Sequence, residues 1–275
     1  MLKTILNFTK IEHTAFSLPL LFTGAWYGGG RRLPDAATMG LIIMAAVGAR
    51  IFGMACNRIF DRHLDALNPR TRDRELPSGK MSLRQALAVA VSGLGLYLAA
   101  CILLGGWCLV LAPVPLVALL GYSLLKRFTW LCHLGIGLSL AQAPIGAYIA
   151  ASDSLALSGE VILFAFFVFT WLSGADVIYA LLDIDSDRRH RIYSLPARFG
   201  VVRAQQIAAG FHALSLILLA ALLKQAGAGI WAWCGFAVTV VFFGLMYLPR
   251  IPVPVRFFPI ATLAGVFGAL APLLA

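Results

Sequence analysis

The sequence predicts an all-helical, polytopic membrane bundle of about nine transmembrane helices, and three observations predict it. The chain is 60% hydrophobic and only 12% charged, with a mean hydropathy of +0.87, whereas soluble domains are about 45–50% apolar. Apolar runs of about 20 residues, the length that carries a helix across ~30 Å of hydrocarbon, recur along the chain. Gly28-Gly29-Gly30, Gly105-Gly106 and the segment from Pro249 to Pro254 break these runs. No stretch remains for a soluble domain, so residues 1–275 read as one integral-membrane domain.

In order, the expected spans are 12–30, 36–60, 83–104, 107–125, 130–150, 160–182, 204–224, 228–248 and 255–274. Met1-Leu2-Lys3 leads toward the first without a small-residue cleavage site, so insertion rather than a removable signal peptide is expected. With a cytoplasmic N-terminus, the same side receives Lys3, Lys10, seven bases from Arg58 to Arg84, Lys126, Arg127, five bases from Arg188 to Arg203, Arg250 and Arg256. The opposite side receives Arg31, Arg32 and Lys224. The positive-inside rule therefore predicts a multi-pass protein of the cell membrane with its charged helix ends facing the cytoplasm. The net charge of +10 is concentrated in these loops, which suits anionic lipid and an anionic substrate and argues against nucleic acid. Five scattered cysteines without a C-x-x-C pair give neither a zinc pattern nor a disulfide framework; buried, inert thiols are expected.

The first span opens on Lys10, Glu12 and His13, which read as an interfacial anchor or as part of an acceptor pocket. The second carries Arg50 well inside hydrocarbon, where a cation costs about 2.5–3.5 kcal/mol and faces the bundle interior or a cavity. Its expected partner is an aspartate such as Asp176, or a substrate carboxylate gripped by the guanidinium fork. At ~100° per residue, Asn57, Asp61 and Asp65 share one helical face with Arg50, which lies ~10 Å deeper. An amide and two carboxylates on one stripe suit a hard cation. The following loop carries Arg70, Arg72, Arg74 and Lys80 among turn signals at Asn68-Pro69 and Pro77-Ser78-Gly79.

Lys126 and Arg127 close the fourth span on the same side. The sixth is rich in aromatic residues from Phe164 to Trp171 and ends in a second acidic set, where Asp176, Asp183 and Asp187 share a meridian and Asp185 points away. A basic run from Arg188 to Arg198 follows. Asp183-x-Asp185-x-Asp187 is not a calcium loop, because Arg188 stands where that loop needs glycine. The last three spans read as bundle walls.

Two acidic helix ends with cations beside them suit Mg²⁺, which is usually held by one or two carboxylates while substrate phosphates complete its shell. The bound metal would make a diphosphate a leaving group, with Lys and Arg taking up the developing charge. A long isoprenoid tail then finds its greasy channel beside the charged mouth.

Asn57-x3-Asp61-x3-Asp65, the run Arg70-Thr71-Arg72-Asp73-Arg74-Glu75-Leu76-Pro77-Ser78-Gly79, Tyr122-x3-Lys126-Arg127, and Asp183-x3-Asp187 ending in Tyr193-Ser194-x-Pro196-Ala197-Arg198-Phe199-Gly200 resemble the signature of the UbiA-type intramembrane aromatic prenyltransferases. The resemblance implies a helical bundle around a central cavity and Mg²⁺-dependent transfer of a polyprenyl group from polyprenyl diphosphate to an aromatic acid such as 4-hydroxybenzoate, in quinone biosynthesis. It implies that Asn57, Asp61, Asp65, Asp183 and Asp187 hold metal and diphosphate and are the catalytic set. Arg62, Arg72, Lys126 and Arg127 would contact phosphate, and Arg50, Asp176 and Tyr179 the acceptor. Arg58 departs from the family pattern at a position expected to turn away from the metal face. The start Lys10-Ile11-Glu12-His13-Thr14 is closer to relatives that include menaquinone-pathway enzymes, so a naphthoate stays open as acceptor. Outside this family, the alternative is a cation-coupled transporter, whose intramembrane carboxylates relay ions. A head-group transferase is excluded because its D-x-x-D-G-x-x-A-R run is absent.

Overall fold

A computed structural model describes residues 2–10 and 14–275, and among them all regular structure is helical. A short helix α1 (Leu2–Thr9) leads to α2 (Thr14–Gly28), α3 (Ala36–Leu67), α4 (Leu83–Leu104), the one-turn α5 (Gly106–Val110), α6 (Pro113–Leu125) and α7 (Cys132–Ser152). The second half comprises α8 (Gly159–Ala180), α9 (Ile184–His190), α10 (Leu195–Gln225), α11 (Ile230–Leu245), the short α12 (Val253–Val255) and α13 (Thr262–Leu270). Among the described residues, seven helical stretches are long and apolar enough to cross a membrane, and Ile230–Leu245 is a shorter apolar helix.

Local sequence explains the boundaries. Asp35 caps α3 by accepting from Ala37 N at 2.9 Å and Thr38 N at 3.0 Å, which satisfies donors that a helix start leaves orphaned. The Thr38 backbone N–H is the main influence that lowers the Asp35 pKa. Ser82 and Gln85 form a capping box on α4. Gly105, at φ 66° and ψ −156°, takes an extended positive-φ conformation open to glycine, and α4 ends there.

The helix of the expected span 36–60 continues to Leu67, so Asn57, Asp61 and Asp65 share one helix, α3, as their spacing predicted. Along this extension both buried carboxylates meet cations, Asp61 with Lys126 and Asp65 with Arg74. The span expected at 107–125 is interrupted between α5 and α6 just before Pro113, whose ring cannot donate to a preceding turn. The span expected at 204–224 begins at Leu195 and kinks at Gly200, whose φ is 78°. The sixth span passes through a 3₁₀ turn, Leu181–Asp183, into α9.

Helix α8 is the central column. Phe164, Phe167 and Trp171 stack along it, with ring centroids 5.9 and 6.1 Å apart, and all are buried. Polar side chains tie it to its neighbours inside the apolar region: Thr170 Oγ1 lies 2.6 Å from Ser215 Oγ, and Trp171 Nε1 donates to Ala261 O at 3.0 Å. Lipid offers no hydrophobic drive for helix pairing, so close backbone approach and such bonds do the work. Where α3 crosses α4, a Cβ on Gly93 would stand 2.6 Å from Phe52 N.

Loops gather at the two ends of the bundle. At one, Arg31 Nη2 donates to Ala226 O at 3.2 Å and Trp107 N to Asp153 Oδ1 at 3.2 Å. At the other, Tyr193 N donates to Lys126 O at 2.8 Å and Arg127 Nη2 to Phe60 O at 2.6 Å. This second end holds both acidic sets that the sequence singled out. The cysteines are free; Cys56 and Cys101 are buried as expected, whereas Cys234 is exposed, on an apolar helix face.

Candidate functional site: an acid- and base-rimmed intramembrane cavity

A cavity of about 780 Å³ runs through the bundle. Helix α3 sends Asn57, Asp61 and Asp65 into it on successive turns, and Asp176, Asp183 and Asp187 reach it from α8, the 3₁₀ turn and α9. Two acidic sets far apart in sequence thus line one space. Its other limb, along α3, α4 and α5 toward Tyr97, Cys101, Leu104 and Trp107, is mostly apolar. Since α4 spans ~33 Å at 1.5 Å per residue, this limb extends toward the end opposite the charges.

Each acid of the mouth has a specific partner. Asp61, 2% exposed, accepts from Lys126 Nζ at 2.5 Å and from Asn57 Nδ2 at 3.2 Å, both on Oδ2. Asp65 pairs through Oδ1 with Arg74 Nη1 at 2.8 Å. Arg70 grips Asp183 with Nε and Nη2 at 2.8 and 2.5 Å, donates from Nη1 to Tyr179 OH at 2.7 Å, and lies over the Tyr179 ring. Asn68 Nδ2 adds a bond to Asp183 at 2.7 Å. The loop after α3 therefore crosses to the second acidic set and fastens it. Burial by itself lowers the Arg70 pKa, but the bonds it donates to Asp183 and Tyr179 outweigh it and leave the guanidinium more basic than usual. It stays charged at every working pH.

Asp187 Oδ2 accepts from Ser194 Oγ at 2.7 Å, and Ser194 also caps α10. Asp176 is held by His133, whose Nδ1 lies 2.6 Å away, and not by Arg50, for which an aspartate such as Asp176 was one of the two partners the sequence left open. His133 is 2% exposed, and Leu195 N donates to its Nε2 at 3.2 Å. That arrangement fits a neutral ring carrying its proton on Nδ1. Arg50 lines the cavity, with Nη2 3.5 Å from Lys10 O; Glu12 and His13 lie outside the described residues. Asp185 is exposed, as its angle on the helix required.

Several bases sit elsewhere than expected. Arg62 and Arg127 line an adjoining pocket, and Arg72 is exposed and lines neither space. Arg70 and Arg74 take the inward places instead. Asn68 sets this register: its side chain accepts from Arg70 N and its carbonyl from Thr71 N and Arg72 N, all at 2.9 Å. The chain then coils so that residues four apart face inward together. Arg58, expected to turn away, is 6% exposed and lines the cavity, with Nε and Nη1 lacking hydrogen-bond partners. His133 carried no signal in the sequence beyond being a lone imidazole in the first turn of an apolar span.

Among the described residues no three His, Cys, Asp or Glu side chains converge on a ready-made metal site. The donors nonetheless fit a hard cation. Asp61 Oδ1 and Asp65 Oδ2 are buried without hydrogen-bond partners, a costly state that a bound cation relieves. A site with two carboxylates, completed by substrate phosphate, is the usual Mg²⁺ arrangement.

Fold and cavity together define a multi-pass membrane protein with a charged mouth opening on an apolar limb. Residues 17–272 match the UbiA prenyltransferase family model, and the chain belongs to that family. The chain is 31% identical over 231 residues to a 4-hydroxybenzoate octaprenyltransferase of Shewanella piezotolerans, covering 78% of this chain and 75% of the relative. The apo structure of a UbiA homolog from Aeropyrum pernix K1 superposes with a TM-score of 0.81 at 34% identity, covering 96% of this chain and 95% of that one. A UbiA homolog from Archaeoglobus fulgidus bound to GPP and Mg²⁺ shares the fold, with a TM-score of 0.71 at 18% identity over 98% of each chain. Membership sets aside the transporter alternative: the protein is a prenyltransferase.

Proposed function

We propose that this enzyme transfers a polyprenyl group from polyprenyl diphosphate to an aromatic acid of the 4-hydroxybenzoate type, with Mg²⁺ as cofactor, from a mouth on the cytoplasmic side. One observation carries the reading: both acidic sets and the cations Arg70, Arg74 and Lys126 rim a single cavity whose other limb is apolar. The name of the Shewanella relative and the GPP and Mg²⁺ of the Archaeoglobus homolog support the donor and acceptor classes. The clustering of the basic loops at the acidic end supports the orientation.

Asn57, Asp61 and Asp65, with Asp183 and Asp187 opposite, would hold Mg²⁺, which when bound neutralises the diphosphate. Lys126, Arg70 and Arg74 hold the phosphate oxygens as the allylic C–O bond breaks and its electron pair passes to the leaving diphosphate. The apolar limb shields the allylic cation from water. The acceptor ring attacks, forming the C–C bond, and the displaced ring proton goes to the Asp176 carboxylate. Arg50 sits where it can hold the acceptor's own carboxylate through its fork.

The direct test incubates purified enzyme and Mg²⁺ with labelled polyprenyl diphosphate, offering 4-hydroxybenzoate and dihydroxynaphthoates in parallel. Label should pass to 4-hydroxybenzoate; transfer to the naphthoate alone would reassign the acceptor, and transfer to neither would end the reading.

His133 positions Asp176 in this scheme. His133→Leu should lower kcat about tenfold or more, the scale of one charged hydrogen bond, with little change in the KM for the prenyl donor. His133→Gln, whose amide can donate to Asp176 and accept from Leu195 N, should restore most of kcat. Equal losses in the two variants would show that ring volume, not hydrogen bonding, is what matters.

A further inference from the structure

A second pocket, of about 420 Å³, adjoins the cavity at its charged end. The ionisable side chains lining it are all basic or imidazole: Arg62, His63, Lys126, Arg127, His190 and Arg191. Among the described residues no carboxylate lines it. Leu64, Lys126 and Ile192 line both spaces, so they form a common wall, and Lys126 is the charge shared across it, with Nζ held on Asp61 in the cavity.

The geometry favours an anionic occupant. Arg62 Nη1 donates to Ile59 O and Arg127 Nη2 to Phe60 O, which anchors both guanidiniums while leaving other N–H groups of each available. Neither of them, nor Arg191, is in an ion pair among the described residues. Several like charges converging on one concave space concentrate a positive potential that attracts a polyvalent anion. Planar guanidiniums in particular match the oxygens of phosphate.

We propose that this pocket is a phosphate site distinct from the catalytic mouth, taking either the diphosphate released through the shared wall or the phosphate of an anionic lipid headgroup. The first source rests on the function proposed above; the second does not.

The test uses the full chain in nanodiscs. Arg191 is exposed at the end of α9, so Arg191→Gln and the double variant with His190→Asn should fold, and Arg191→Lys keeps the charge as a control. Titration with inorganic diphosphate in the absence of metal should show a binding event in wild type and Arg191→Lys that the double variant lacks. Initial transfer rates should be unchanged, while the diphosphate concentration for half product inhibition rises about tenfold. If the occupant is a headgroup, the diphosphate titration is the same in all variants, and the stabilisation of wild type by phosphatidylglycerol over phosphatidylcholine discs is lost in the double variant. Identical diphosphate binding, inhibition and lipid response in every variant would overturn the proposal. Arg191-dependent diphosphate binding by a chain that transfers no prenyl group would keep the pocket and remove the activity instead.

Discussion

Asp61→Asn should lower prenyl transfer on the order of a thousandfold, comparable to losing a principal electrostatic group of an active site, while the bundle stays folded. The reason lies in the two oxygens of this buried carboxylate. Oδ2 is shared by Lys126 and Asn57, whereas Oδ1 is buried without a hydrogen-bond partner. Asparagine keeps the volume and one acceptor for Lys126, so packing survives, but it removes the negative charge that a cation needs. Transfer should not recover when Mg²⁺ is raised to saturation, and size-exclusion elution and thermal unfolding in detergent should match wild type within a few degrees. Transfer near the wild-type rate under those conditions would remove Asp61 from the metal-binding set.

The second large effect is expected at Arg70, a residue of the signature run to which the family resemblance gave no role. Its guanidinium holds both oxygens of Asp183 and the Tyr179 hydroxyl, and no other side chain among the described residues reaches from the first basic loop to both. Arg70→Ala should lower kcat/KM for the prenyl donor about a hundredfold, or ~3 kcal/mol. Two charged hydrogen bonds contribute about 1.5–3 kcal/mol each, discounted because the Arg70 side chain is 30% exposed. Arg70→Lys should recover little, since an ammonium cannot reproduce the paired bonds to Asp183. The loss should appear in the KM for the donor as well as in kcat, because the mouth is no longer drawn together before diphosphate arrives. A change under threefold would mean that Asn68, through its own bond to Asp183, suffices to hold the two halves.

What is legible in the sequence follows from periodicity. Asn57, Asp61 and Asp65 are four residues apart, so one helix places them on one stripe whatever surrounds it. Apolar length fixed the bundle class, since a chain with unpaired backbone groups crosses lipid only as helix or closed barrel. Spacing also placed Asp185 on the outside. Loops follow no such rule. Whether Arg70, Arg72 or Arg74 turns inward depends on the bonds that Asn68 makes to the backbone after it, and nothing in the basic composition of that loop ranks the three.

The chain alone determined a helical membrane protein with two acidic stripes flanked by bases, because helix geometry and the cost of burying charge act on neighbouring residues. Only the tertiary structure decided that the stripes open on one cavity, that Arg70 rather than Arg72 joins them, and that Asp176 answers to His133. Each of these pairings joins groups 40 or more residues apart, and they depend on how close-packed helices cross. That packing is a property of the assembled bundle, which no local stretch of sequence encodes.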